Sequence, residues 1–125
     1  MSTAAQPRHL QRLVTRILFQ LAVATVTVLS LLPQRDLPKV GVSDKLEHAI
    51  AYFGLAILGS LACRTRGGLL SLFVLLCAMG GIIELLQAFS PGRTPEVADA
   101  AADAAGAAVG ILIALLVSLL RVGRA

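Results

Sequence analysis

His48, Glu84 and Asp103 are the residues of this chain best suited to acid–base or ligand chemistry, because each is ionisable and lies at or inside the end of an apolar run. An ionisable group in such a run must pair, lose its charge or meet water. Glu84 is the sharpest case, set in Gly81-Ile82-Ile83-Glu84-Leu85-Leu86. Further polar side chains follow at helical spacing. Asp44, His48 and Tyr52 recur every four residues and so share a helix face. Gly80, Glu84 and Gln87 share one in a later run, as do Asp99, Asp103, Gly106 and Gly110 in the last. The Gly106-x-x-x-Gly110 pair permits close approach of two membrane helices.

The elements that must carry these residues are membrane helices. With 57% hydrophobic and 14% charged residues and a mean hydropathy of +0.84, the 125-residue chain is too apolar for an ordinary soluble domain and long enough for one bundle. The pI near 9.8 is no sign of nucleic acid, because the basic residues are scattered and form no stripe with aromatics. Cys63 and Cys77 make neither a disulfide framework nor a metal motif and read as small apolar filler.

The sequence predicts an all-α integral membrane bundle of four transmembrane helices, with spans at about 13–32, 45–63, 69–89 and 97–120. Residues 1–12 form a cytoplasmic N-terminal segment in this reading, and 121–125 a cytoplasmic tail. The first run follows Arg8, Arg12 and Arg16 like a signal peptide, but no small-x-small cleavage site comes after it, so it is read as retained. Seven Lys/Arg lie at the termini and the short Arg64–Gly68 turn, against Arg35, Lys39, Lys45 and Arg93 on the other side, which puts both termini and that turn in the cytoplasm. All seven acidic residues then fall on the outer side.

Local signals set the helix starts. Asp44 with Glu47 reads as a capping box. Thr94 reads as an N-cap, with Pro95 in the first helical position and Glu96 facing the positive helix end. Counted outward from the cytoplasmic arginines, His48 lies roughly 24 Å up its helix, and Glu84 and Asp103 roughly 27 Å up theirs. Three ionisable groups on three helices thus reach one level, and one pocket at the outer face is expected.

The ordered set Asp44-Lys45-x-x-His48-x-x-x-Tyr52, Glu84-x-x-Gln87-x-Phe89, Pro91-Gly92-Arg93 and Asp99-x-x-x-Asp103-x-x-Gly106 resembles the VanZ-like family, whose named member is associated with resistance to the glycopeptide teicoplanin. The resemblance covers about Asp44 to Gly110. That family often carries Asn where this chain has Asp103. The resemblance implies architecture more than activity.

His48, Glu84 and Asp103 are the catalytic candidates, with His48 the natural partner for Asp103. Asp44, Lys45, Tyr52, Gln87, Arg93 and Asp99 are ligand-binding candidates. Each has a plainer reading. Asp44 can serve as a cap, Lys45 as an interface anchor and Tyr52 as packing. Gln87 can orient Glu84 or bridge helices, and Asp99 can cap a helix or pair with Arg93. No tight motif such as H-E-x-x-H is present, so the sequence assigns no metal and no cofactor. The expected partners are membrane lipids and a lipid-linked envelope ligand at the cell membrane, with no nucleic acid; the oligomeric state is not set. The leading function is binding or modification of an anionic envelope component, with an effect on glycopeptide or envelope-stress tolerance. The alternatives are a membrane-embedded acid–base or metal-assisted hydrolase and a structural or assembly subunit.

Overall fold

The computed structural model describes residues 6–39 and 41–123, so the first five residues of the expected cytoplasmic segment, and Arg124 in the tail, lie outside the described residues. Helix α1 (Gln6–Leu31) is followed by a 3-10 turn (Gln34–Asp36) and then by α2 (Asp44–Ser60), α3 (Arg66–Gln87) and α4 (Val97–Val122), with no strand among the described residues.

Three of these helices, α1, α3 and α4, are long and apolar enough to cross a membrane. This corrects the expected four. Helix α2 has 17 residues, and its first turns carry Asp44, Lys45, Glu47 and His48. It spans roughly 25 Å, short of a hydrocarbon core about 30 Å thick. Its far end stops at Ser60, because residues 61 and 62 turn before the chain enters α3.

Two helix starts also differ from expectation. Ser43, not Asp44, caps α2: its extended backbone turns the hydroxyl to accept from the Leu46 N–H at 3.3 Å. The capping box therefore does not form, and Asp44 and Glu47 both fall within the helix. Helix α4 starts at Val97, with Thr94 and Pro95 outside it, because its capping acceptor comes from another helix rather than from Thr94. Thr65 caps α3, accepting from the Gly68 N–H at 3.0 Å, so Arg66-Gly67-Gly68 are helical rather than part of a turn.

Helix α2 packs most extensively against α4 and is flanked by α1 and α3. The core joins Tyr52, Leu55 and Ala56 of α2 to Leu69, Leu72 and Leu76 of α3 and Ala107 and Ile111 of α4. The α2–α4 crossing depends on Gly106 and Gly110. A Cβ on Gly106 would fall on the Ala49 carbonyl, and one on Gly110 would lie 2.6 Å from the Ala56 Cβ. The predicted glycine seam is thus a backbone contact. Outward, Leu70, Val74, Leu85, Leu112 and Leu116 are exposed, the surface a bilayer would cover.

The last turn of α1 is closed by the end of α3 and the connection that follows it. A helix leaves its final four carbonyls without internal partners, and Pro33 prevents this one from continuing. Gln87 Nε2 donates to the Ser30 carbonyl at 2.9 Å and Ser90 Oγ to that of Leu31 at 2.8 Å. Arg93 donates through Nη2 to Leu29 at 3.2 Å and through Nε to Leu32 at 3.3 Å. Four consecutive carbonyls are satisfied in this way. The Ser90–Arg93 turn makes this reach possible, with Pro91 followed by Gly92 at φ +76°.

Candidate functional site

The polar ends of α2, α3 and α4 meet beside this closure. His48 Nδ1 lies 2.8 Å from Asp103 Oδ1, a hydrogen bond in which the carboxylate accepts. Its other ring nitrogen is 3.7 Å from Asp99 Oδ2, one turn earlier on α4. Glu84 Oε2 accepts the Glu96 backbone N–H at 2.9 Å, so this buried carboxylate on α3 caps the start of α4. Donor atoms of His48, Glu84 and Asp103 all lie within 4.8 Å of one another. The three helices therefore deliver their ionisable groups to one level, and one cluster results.

Asp103 is 1% exposed and Glu84 6%, yet neither carboxylate is fully used. Glu84 Oε1, Asp99 Oδ1, Asp103 Oδ2 and the Tyr52 hydroxyl are buried without a hydrogen-bond partner. Gly80 makes room for Asp103, because a Cβ there would stand 2.8 Å from Oδ2. On the rim, Lys45 Nζ is 3.0 Å from Glu96 Oε2 and 3.7 Å from Asp99 Oδ1. Lys45 is thus tied to α4 by an ion pair that is half open to solvent.

Next to the cluster lies a cavity of about 380 Å³. Val26 and Leu29 of α1, with Leu37 from the following connection, give it an apolar wall. Lys39, Arg93, Asp44 and Glu47 give it charged groups, Tyr52 lines it too, and His48 belongs to both the cavity and the cluster. Ligand pockets are commonly of this size and mixed lining.

Among the sequence-selected residues, His48, Glu84, Asp103 and Asp99 come together, with Tyr52 against them and Asp44 in the adjoining cavity. Gln87 does not orient Glu84; it is 2% exposed and bonds to α1. Arg93 does not pair with Asp99, because its donors are directed to the α1 carbonyls. The sequence reading missed Lys39 and Leu29 in the cavity wall, the Ser90 tether and the Glu84–Glu96 cap. Leu29 and Lys39 carry no spacing signal. The Ser90-Pro91-Gly92 turn did signal a chain reversal, though not its target.

A bundle with three membrane-length helices and a buried histidine–carboxylate cluster at one end defines a helical membrane-type protein. The family model described as VanZ/LLP1 matches residues 3–118, nearly the whole chain, and the chain belongs to that family. No curated protein and no solved structure matches it.

Proposed function

We propose that this protein binds an anionic lipid, or a lipid-linked envelope component, in the cavity beside α1, with its headgroup against His48. One observation carries the reading: a cavity of about 380 Å³ lined both by apolar residues such as Val26 and Leu29 and by the charged Lys39, Arg93, Asp44 and Glu47. An acyl or prenyl chain suits Val26 and Leu29, and a phosphate suits Lys39 and the remaining N–H groups of Arg93. Asp44 and Glu47 add acceptors for hydroxyl or amino groups, as on a sugar.

In this reading α2 packs among the three membrane-length helices, and its polar start lies at the outer boundary. The seven-to-four distribution of Lys and Arg supports cytoplasmic termini and an outward-facing cavity in the cell membrane. Altered glycopeptide or envelope-stress tolerance would follow from capture of such a component.

A second reading, acid–base hydrolysis of the bound component, is favoured by one feature: His48 pairs with Asp103 at 2.8 Å and also lines the cavity.

Native mass spectrometry of protein gently extracted from membranes tests the binding. The wild type is expected to retain one anionic lipid species. Leu29→Trp, which fills the apolar wall from a partly exposed position, is expected to lower its occupancy at least about tenfold, a loss of about 1.4 kcal/mol. Equal occupancy in both proteins would overturn the reading.

A further inference from the structure

We infer that His48, Glu84 and Asp103 bind a divalent transition-metal ion at the junction of α2, α3 and α4. The inference concerns the cluster behind the cavity and does not rest on what fills the cavity.

Geometry is the first ground. Each of the three residues offers a donor atom, and these atoms lie within 4.8 Å of one another. Ligands bound to one ion at about 2.1 Å stand roughly 3–3.5 Å apart in tetrahedral geometry. Side-chain adjustments of about 1 Å would close the set around an ion. The donors come from three different helices, each fixed by packing, which suits a preformed site.

Unsatisfied buried atoms are the second and independent ground. Glu84 Oε1 and Asp103 Oδ2 belong to side chains more than nine-tenths buried, and neither has a hydrogen-bond partner. Leaving such atoms unmatched is costly. Gly80 keeps Asp103 Oδ2 from being crowded out.

Charge is the third. Glu84, Asp99 and Asp103 bring three carboxylates to the cluster, and Lys45 is the nearest ammonium. Lys45 is already matched by Glu96 at 3.0 Å and stands 3.7 Å from Asp99. One imidazole cannot balance the remainder in a low-dielectric setting. A dication would offset two charges and satisfy both free oxygens.

The donor set defines the class of ion. Two carboxylates and an imidazole suit zinc, manganese or ferrous iron. Metal binding through Nδ1 would release the proton now shared with Asp103, leaving Nε2–H toward Asp99 Oδ2, 3.7 Å away on the side where a carboxylate orients a metal-bound histidine. The cavity, which His48 and Tyr52 also line, provides a way in for the ion.

The test uses the full chain in detergent, stripped with a chelator and then dialysed separately against zinc and manganese salts. Bound metal is measured by elemental mass spectrometry, and Mn²⁺ also by electron paramagnetic resonance. The wild type is expected to take up one ion per chain and to unfold at a higher temperature with it. Outer-shell changes weaken metal binding about 10–100-fold, so loss of a direct ligand in Asp103→Asn should weaken it at least about 100-fold. Glu96→Gln, outside the donor set, should bind within about threefold of the wild type. The wild-type measurement decides alone if a variant fails to fold. A folded wild type that takes up neither ion overturns the inference, as does Asp103→Asn binding like the wild type. Protons shared among the carboxylates would then be what balances the cluster.

Discussion

Gly106→Leu is expected to prevent the bundle from assembling. A Cβ at this position falls on the Ala49 carbonyl of α2, and backbone cannot move aside as a flexible side chain can. Overpacking a core with extra methylenes costs about 1–3 kcal/mol, and a contact with the main chain belongs at or above the top of that range. The loss would not stay local, because α2 and α4 make the most extensive interface and carry His48, Asp99 and Asp103 across it. Size-exclusion chromatography and thermal unfolding in detergent would show aggregated or prematurely melting protein. Melting within a degree or two of the wild type would mean that the close α2–α4 approach is wrong.

The second large effect is expected where the end of α3 and the turn after it hold the end of α1. In the double variant Gln87→Leu/Arg93→Ala, the carbonyls of Leu29, Ser30 and Leu32 lose their donors, and only the Ser90 bond to Leu31 remains. Neutral hydrogen bonds contribute about 1 kcal/mol and those from a charged group about 1.5–3 kcal/mol, so losing one of the first kind and two of the second should cost at most about 4–7 kcal/mol, less where the Arg93 bond to Leu29 is open to solvent. Because Leu29 and Val26 form a cavity wall, release of α1 would also open the cavity. Spin labels at the exposed positions Val28 and Ile50 report this directly. A narrow distance distribution in the wild type should broaden in the variant. If it stays narrow and stability is unchanged, the tethers are incidental.

This second case shows how far the sequence could be read. The faces of the helices were legible because a period of 3.6 residues places Asp44, His48 and Tyr52 together without further information. The common depth was legible because apolar lengths between charges convert to height. Positions that depend on another element were not. Glu84 caps α4 from 12 residues upstream in sequence, so the start at Val97 could not be found from Thr94 and Pro95. Gln87 does bridge helices, one of its two expected roles, but neither its target nor that of Arg93 could be read, because their partners are carbonyls 57–64 residues away. Main-chain acceptors have no residue type to mark them. The cavity was hidden for a similar reason, since its wall includes Leu37, Pro38, Lys39, Gly41 and Val42 between α1 and α2, which show no helical periodicity in sequence. Helix α2 was extended to membrane length by counting its polar first turns as part of the span; its apolar portion is the part that packs inside the bundle.

The cavity beside α1, with His48 in its lining, is proposed as a ligand site distinct from the lipid-facing surface. Photo-crosslinking in intact membranes tests it most directly. A benzophenone amino acid placed at Leu29, in the cavity wall, is compared with one at Leu112, which is exposed on α4. Adducts are then identified by mass spectrometry. The account expects one anionic lipid or lipid-linked species to dominate at position 29, to persist against excess neutral lipid, and to diminish when His48→Ala is added. Position 112 should capture the bulk lipid mixture. The same bulk mixture at both positions, unaffected by His48→Ala, would contradict it.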